Sequence, residues 1–366
     1  MSPGQERPGG PGEPGGTVAP PLRIGVSACL LGREVRFDGQ HKRDSFLVDE
    51  LGPFVEFVPV CPEVEVGMTI PRETLRLVRI GGQRSRDTRQ RPPAPGPEGE
   101  PSSSWAVSSD TRLIAPRSGE DWTARMTTYA DRRVKLLAEE NLSGYVLKKD
   151  SPSCGLLRVK RYDDPADANA SPRADRDGQG LFAARLRRTF PHLPIEEEGR
   201  LCDPGLRENF IERIFAYQRL RTLWHGRWTM GALVKFHTSH KMALLAHDEP
   251  AYRRLGRLVG IGKALPRQEL RDRYQDGFMA AMSRLATPGR HANVLTHMLG
   301  HFSDRITAPA RREILAVIED HRRELLPLIV PLTLVRHYVR LLEVTYLADQ
   351  TYLDPHPKEL MLRNRV

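Results

Sequence analysis

The sequence of 366 residues contains no continuous apolar stretch of about 20 residues, so no membrane-spanning helix is expected. It has only four cysteines, and their wide spacing does not match the disulfide framework of a small secreted protein. Residues 1–20 are rich in glycine and proline and lack the apolar segment of a secretory signal. We therefore expect a cytoplasmic protein without membrane contact, with a disordered tail over residues 1–21.

No internal repeat is evident, and the His-Glu-x-x-His pattern of zinc peptidases does not occur. Ten of the twelve histidines lie at or beyond His225. The pairs His237/His240 and His297/His301 have spacings that place both members on one helix face, as a metal site would need. Because no carboxylate partner accompanies these pairs, we expect them to have structural or hydrogen-bonding roles.

The net charge of +10 is unevenly distributed along the chain. Residues 211–366 contain 25 lysines and arginines against 15 acidic residues, which accounts for the whole excess, and residues 1–210 are neutral. A basic region of this kind attracts nucleic acid or acidic surfaces. Ordinary solvated helices rich in arginine have the same composition, so nucleic acid is one of two open interpretations of this half.

Short apolar segments alternate with helical patterns in the first half of the chain. This alternation predicts an α/β fold over residues 22–210, in which a mostly parallel sheet is flanked by helices. The predicted strands are residues 23–27, 55–60, 144–148 and 193–197, and the clearest predicted helices are residues 123–140 and 180–190.

Two polar segments interrupt the alternation, and the pattern then changes. Residues 82–118 are rich in proline, serine, glycine and arginine, which predicts a flexible insertion, and residues 162–178 predict a shorter loop. Beyond residue 204, apolar residues recur every three or four positions, which predicts an all-α domain over residues 211–366. Its predicted helices are residues 205–223, 229–246, 250–259, 267–285, 290–303, 308–324 and 331–350.

Three of the cysteines stand at the ends of predicted strands, among small and turn-forming residues. Cys29 and Cys61 follow the first two strands, and Cys154 lies in a Ser-Pro-Ser-Cys-Gly segment after the third. If these strands are neighbours in one parallel sheet, the thiols converge at its carboxyl edge, where open α/β sheets bind ligands. Their separations of 32 and 93 residues do not match a zinc finger. A structural zinc site and three separate core thiols are the alternatives to a metal site with an open position.

Ordered motifs surround the three cysteines. They are Val26-Ser-Ala-Cys-Leu-Leu-Gly32, Arg36-Phe-Asp-Gly39, Val60-Cys-Pro-Glu-Val64, Leu147-Lys-Lys-Asp-Ser-Pro-Ser-Cys-Gly155, Gly180-Leu-Phe-Ala183 and Glu198-Gly-Arg-Leu201. Together these motifs resemble the thiouracil desulfurase family, over roughly residues 22–210. Residues 211–366 resemble a helical domain of unknown function that often follows this one in bacterial proteins.

The resemblance implies a [4Fe–4S] cluster bound by Cys29, Cys61 and Cys154, with the fourth iron open to the sulfur of a thiocarbonyl substrate. It also implies two catalytic residues in the matching motifs. Glu63 would be a general base or proton shuttle, and Ser151 would orient the substrate or relay a proton. The sequence around Ser151 is equally consistent with a turn serine that caps the local backbone.

Other polar residues lie beside these motifs. Lys148 and Lys149 precede the Cys154 loop, and one of them is expected to bind an anionic substrate, because consecutive strand residues point to opposite faces. Arg36 and Asp38 are expected to line the pocket, although Phe-Asp-Gly is also an ordinary turn sequence. The fourth cysteine, Cys202, departs from the family motif and is expected to have a structural role. The insertion at residues 82–118 is also longer than the family pattern leads us to expect.

The sequence therefore predicts an iron–sulfur-dependent desulfurase that replaces the sulfur of a thiolated pyrimidine or related thiocarbonyl compound with oxygen from water. The reaction releases hydrosulfide and needs no net electron transfer. The alternative is a nucleic-acid-binding or redox-sensing protein in which the cluster is structural.

Overall fold

The computed structural model describes residues 22–80, 111–163 and 173–366. The tail expected over residues 1–21 lies outside the described residues, as do residues 82–110 of the expected insertion. No helix in the described ranges has the length and apolar character needed to cross a membrane.

Eight strands in the described part of the chain form two four-stranded sheets. The strands are β1 (Arg23–Ser27), β2 (Glu56–Val60), β3 (Arg76–Arg79), β4 (Thr111–Ile114), β5 (Gly144–Leu147), β6 (Val159–Asp163), β7 (Ala174–Gly178) and β8 (Ile195–Glu197).

The first sheet has the strand order β2-β1-β5-β8, and all of its neighbouring strands are parallel. These are the four strands that the sequence predicts, within two residues at each boundary. Gly25 in β1 allows the ring of Tyr145 in β5 to cross it, since a Cβ atom at Gly25 would lie 2.2 Å from that ring. The predicted α/β fold class is confirmed, and the three strands that precede cysteines are neighbours.

The second sheet, with the order β4-β3-β6-β7, is mixed and is not predicted by the sequence. Part of it lies where the sequence predicts irregular structure, because β4 falls within residues 82–118 and β7 within residues 162–178. Ion pairs join these strands. Arg79 bonds to Asp163 at 2.7 Å and also pairs with Asp175 and Asp177. Such charged strands lack the apolar alternation by which strands are recognised in a sequence.

Twelve α-helices occur in the described residues, and they coincide with the predicted helical segments from residue 123 onward. The segments predicted at residues 229–246 and 331–350 are each divided into two helices. The helices are α1 (Pro62–Glu65), α2 (Thr123–Glu139), α3 (Leu181–Thr189), α4 (Pro204–Trp224), α5 (Met230–Ser239), α6 (Lys241–His247), α7 (Glu249–Gly260), α8 (Arg267–Met282), α9 (Pro288–Gly300), α10 (Ala308–Arg322), α11 (Ile329–Leu341) and α12 (Thr345–Ala348).

Helix α4 belongs to two hydrophobic cores. Its start is fixed by Asp203, whose Oδ1 accepts the Leu206 N–H at 2.8 Å, and by proline at the first helical position. The first half packs on the parallel sheet, and the second half packs among the C-terminal helices. The apolar residues of the first half are Phe210, Ile211 and Ile214, and those of the second half are Ala216, Leu220 and Trp224.

A buried network of charges joins α4 to the C-terminal segment. Arg363 donates through Nε to Glu208 Oε1 at 2.9 Å and through Nη1 to the Tyr352 carbonyl oxygen at 2.5 Å. His247 Nε2 lies 3.2 Å from Glu212 Oε2, one turn further along α4. The charged groups are therefore paired with one another inside the protein, as buried charges usually are.

Candidate functional site

A cavity of about 320 Å³ opens at the carboxyl end of the parallel sheet. The chain passes from β1 to β2 on one side and returns to β5 on the other, which makes the β1/β5 boundary a topological switch point. Open α/β sheets bind ligands at such points, because the loops after the two strands diverge there. The cavity is lined by residues that follow β1, β2 and β5.

The cavity brings together the three strand-end cysteines. Cys29 lies two residues after β1, Cys61 directly follows β2, and Cys154 lies in the loop after β5. Cys29 and Cys154 are 8% and 7% exposed, and Cys61 is partly buried. Burial raises the pKa of Cys29 to about 11 and also raises the pKa values of Cys61 and Cys154, and their mutual repulsion adds to the effect at Cys29 and Cys154. Three thiolates are therefore unfavourable there without a bound cation.

The donor set fits an iron–sulfur cluster better than a single metal ion. Among the described residues, no three His, Cys, Asp or Glu side chains form a group that could hold one metal ion. A [4Fe–4S] cluster binds each cysteine through a different iron, so its ligands need not converge on one ion. Thiolates are also the soft ligands that iron–sulfur clusters prefer. Cys202 does not line the cavity, is exposed, and has its Sγ 3.9 Å from the Glu198 carbonyl oxygen.

The loop that carries Cys154 is tightly folded. Ser151 Oγ accepts the N–H groups of Ser153 at 3.2 Å and Cys154 at 3.1 Å, which is the turn-capping role considered for this serine. Gly180 allows a close approach of α3, since a Cβ atom there would lie 2.5 Å from the Ser153 carbonyl oxygen. Ser151 also lines the cavity, and none of the described residues accepts its hydroxyl proton. That proton is available to a ligand.

Glu63 lies at the cavity wall with both carboxylate oxygens engaged. Arg72 donates to Oε2 through Nε at 3.0 Å and Nη2 at 2.7 Å. Ser153 Oγ donates to Oε1 at 3.0 Å. The Arg72 side chain is only 5% exposed and also binds the Val35 carbonyl oxygen at 2.9 Å. The carboxylate is thus held in one orientation at the start of α1, next to Cys61.

Both lysines of the Cys154 loop line the cavity, in different ways. Lys148 is half-buried, and its Nζ forms an ion pair with Glu198. Lys149 is exposed, and its backbone N–H donates to the second Glu198 oxygen at 2.8 Å. The charge of Lys148 is therefore already paired, whereas Lys149 is directed towards the solvent side.

Arg36 and Asp38 lie in one turn, but only Arg36 lines the cavity. Arg36 lines the cavity, and its Nε donates to Asp38 Oδ1 at 3.3 Å. Asp38 does not line the cavity and accepts the Gln40 N–H at 3.1 Å. Gly39 has a φ of +73°, so this segment forms the turn that Phe-Asp-Gly indicates.

Two partners of Glu63 are not found by sequence reasoning. Arg72 lies in a segment without periodicity, 9 residues after the carboxylate that it binds, and nothing in its neighbourhood marks it as functional. Ser153 lies in the recognised Ser-Pro-Ser-Cys motif, but the motif alone does not show which serine contacts Glu63. Ser151 caps the turn and Ser153 binds the carboxylate.

Comparison with known proteins identifies two family matches in this chain. The family model for 2-thiouracil desulfurase matches residues 24–198. The chain belongs to the 2-thiouracil desulfurase family. A second family model, for a protein of unknown function (DUF1722), matches residues 241–357. Membership in the desulfurase family supports desulfuration as the general class of activity.

Each of the individual relatives matches only part of this chain. The uncharacterized protein YbgA of Escherichia coli (strain K12) is 34% identical over 158 residues, which is 43% of this chain and 94% of the relative. The uncharacterized protein YbbK of Bacillus subtilis (strain 168) is 34% identical over 133 residues, 36% of this chain and 71% of the relative. The solved [4Fe–4S]-dependent thiouracil desulfidase TudS is 28% identical, covers 50% of this chain and 93% of its own, and superposes with a TM-score of 0.33.

Proposed function

We propose that this protein removes sulfur from a thiolated pyrimidine or a related thiocarbonyl compound by hydrolysis, with a [4Fe–4S] cluster bound by Cys29, Cys61 and Cys154. The observation that carries the proposal is the convergence of these three cysteines on one cavity from which the fourth, Cys202, is excluded. In the overall reaction, water supplies the oxygen that replaces sulfur at carbon, and the sulfur leaves as hydrosulfide. No electron is gained or lost.

When bound, the cluster would supply a Lewis-acidic iron for the substrate sulfur, because only three of its four irons have a cysteine ligand. The protein's own residues handle water and protons. Glu63 takes a proton from the attacking water at the cavity wall, held in place by Arg72 and Ser153. The hydroxyl proton of Ser151 is free to be donated to a ring nitrogen or exocyclic group of the substrate.

Positive side chains at the cavity favour an anionic substrate. Arg36, Lys148 and Lys149 all line it, and a thiolated pyrimidine that has lost a ring proton carries a negative charge on its sulfur and nitrogen. Lys148 pairs with Glu198 and Arg36 pairs with Asp38, so Lys149 is the one of these three cations without an ion pair among the described residues. We expect Lys149 to lower the KM more than it raises kcat, since its charge attracts an anionic substrate in the ground state as well as in the transition state.

Anaerobic purification tests the cluster. The full chain should be brown and contain about four iron and four acid-labile sulfide atoms per molecule. The variant Cys154→Ala should lose iron and all hydrosulfide release, while the matched control Cys202→Ala keeps both. A colourless, iron-free protein after reconstitution, or iron loss in Cys202→Ala alone, would contradict the proposal.

The role of Glu63 is tested separately. Glu63→Gln should keep the iron and the visible absorption of the cluster but lose about 10²–10⁴-fold in hydrosulfide release from 2-thiouracil, because the general base is gone. Ser151→Ala should lose less, since Glu63 remains. Turnover by Glu63→Gln at the rate of the unaltered protein would remove Glu63 from the mechanism while leaving the cluster assignment intact.

One observation favours a second candidate function, nucleic-acid binding by the helical half. Helix α7 carries Arg253, Arg254 and Arg257, which line one crevice on the surface of a region with a net charge of +10. Glu249 pairs with Arg253 at 2.6 Å, and none of the described residues pairs with the other two. Unpaired arginines on one helix face are suited to contacts with phosphates.

Salt dependence tests this second function. Affinity of the full chain for a structured RNA should fall linearly with the logarithm of salt concentration. The double variant Arg254→Gln, Arg257→Gln should reduce the slope by about 1–2, because each phosphate contact adds about one to it. Absence of binding at low salt would exclude this function. An unchanged salt-dependence slope in the double variant would show that RNA binds at a surface other than the α7 arginines.

A further inference from the structure

A second cavity lies between the two halves of the protein. Its volume is about 280 Å³. Leu157 and Phe190 contribute from the α/β half, Arg213 contributes from α4, and Ser283 contributes from the end of α8. The cavity is separate from the one that holds the cysteines, because the two share no lining residue.

The charges at this cavity are not balanced. Two guanidinium groups, those of Arg187 and Arg213, line it together with one carboxylate, that of Glu196. The Glu196 carboxylate is already engaged, since its Oε1 accepts Arg200 Nε at 2.8 Å and the Glu197 N–H at 3.0 Å. The side chains that line the cavity therefore carry a net positive charge, and the one carboxylate among them is also paired with Arg200 from outside the cavity.

Arg213 is incompletely hydrogen-bonded. Its Nε is buried and has no hydrogen-bond partner among the described residues. Burial lowers the pKa of Arg213 to about 10, and it lowers the pKa of Arg187 as well. A buried guanidinium group without a full set of acceptors is unfavourable, and an anion in the adjoining space would supply them.

We propose that this cavity binds a small oxyanion, a phosphate or carboxylate group, at Arg187 and Arg213. The planar guanidinium fork suits the oxygen atoms of these groups. Apolar side chains such as Leu157, Phe190 and Leu193 form the rest of the wall and limit the ligand to one charged group with a short body. The proposal is independent of the desulfurase chemistry.

The position of this anion site relates it to the cluster-binding loop. Glu196 lines the second cavity, and the next residue, Glu197, accepts the N–H groups of Leu156 at 2.7 Å and Leu157 at 3.2 Å. Leu156 and Leu157 also line the cavity and follow Cys154 by two and three residues. An anion bound there would contact the back of the loop that presents Cys154.

Thermal unfolding of the full, anaerobically purified chain tests the proposal. Inorganic phosphate should raise Tm by roughly 2–4 °C above sodium chloride of equal ionic strength, at a concentration about 100-fold above its dissociation constant. Arg213→Met should abolish this rise. A parallel titration with acetate distinguishes the ligand class, since a rise with phosphate alone identifies a phosphate site and a rise with both identifies a general oxyanion site.

Two further variants keep the test decisive. Arg36→Met removes a cation from the cysteine cavity and should keep the phosphate-specific rise, which excludes binding there. Arg187→Met should lose it and serves in place of Arg213→Met if that variant does not fold. The proposal is overturned if neither anion raises Tm in the unaltered protein, or if both the Arg187 and Arg213 variants keep the rise.

Discussion

The two halves of this protein bury ionisable groups in opposite ways. In the α/β half, three thiols, a carboxylate and several cations surround an open cavity at the edge of the parallel sheet. In the helical half, buried charged and histidine side chains such as Arg363, His237 and His291 have bonding partners inside the protein. A buried polar residue is therefore not by itself a functional residue. The difference lies in whether its partners are inside the protein or must come from a ligand.

The histidines of the helical half illustrate the internal case. His237 Nδ1 lies 3.1 Å from Tyr274 Oη, and His240 Nδ1 lies 2.8 Å from the Phe236 carbonyl oxygen. Both rings are buried, whereas His297 and His301 are exposed and lie edge to face. No group of metal-binding side chains accompanies either pair within the described residues.

The largest effect is expected from opening the internal network. Arg363→Met should reduce the free energy of unfolding by about 3–5 kcal/mol, because it leaves the buried Glu208 carboxylate without its guanidinium partner. Denaturant titration measures the loss. The control is Arg253→Met, which breaks an exposed ion pair on α7 and should cost about 0.5 kcal/mol or less. A similar loss of unfolding free energy in both variants would show that the buried network stabilises the protein no more than an exposed ion pair does.

Acid should weaken the helical half through its buried histidines. Burial lowers the pKa of His237 to about 4 and the pKa values of His240 and His291 to about 3. The unfolded chain then binds more protons than the folded chain below pH about 6.5, so stability is complete above that pH and falls as the pH falls. Each histidine should contribute a loss of roughly 1–2 kcal/mol between pH 7 and 5.

His247 acts in the opposite direction and reduces the total. Although burial lowers its pKa, the Glu212 carboxylate outweighs burial and raises it, so the stability that His247 adds is present at acid pH and is lost as the pH rises. Denaturant titrations at several pH values measure the sum. His291→Gln should flatten the acid loss, and substitution of the exposed His225 by asparagine should leave it unchanged. An acid loss unaltered by His291→Gln would contradict the assignment.

A smaller effect is expected at the cavity from a residue that touches Glu63 and not the reacting atoms. Arg72→Gln should lower kcat by about 10- to 100-fold, or about 1.4–2.7 kcal/mol, because Glu63 loses its fixed orientation. Iron content and KM should change little, which separates positioning from cluster or substrate binding. Arg72→Lys should recover only part of kcat, since an ammonium group cannot donate from two fixed positions. Unchanged kcat in Arg72→Gln would show that Ser153 alone holds Glu63.

The sequence predicts those parts of the protein in which local pattern and tertiary structure agree. Strands β1, β2 and β5 are largely apolar runs, and the helices from residue 204 onward have regular apolar spacing, so both are recognised. The second sheet is not recognised. Ion pairs between Arg79 and aspartates stabilise it, and strands rich in charged residues have the composition of a loop. At the site, motif residues are predicted, whereas Arg72 is not, since its contact with Glu63 depends on how the chain folds back.

Helix α4 has a consequence for how the two halves meet a large ligand. It has 21 residues, about 30 Å of continuous helix, and its two ends are embedded in different cores. Over residues 173–366, which are described without a gap, no free linker separates the cores. The cysteine cavity and the arginines of α7 therefore stand at a set separation, without a hinge to bring them closer. A polymer that touches both must have the length and curvature to span that separation, and shorter fragments can occupy only one of them.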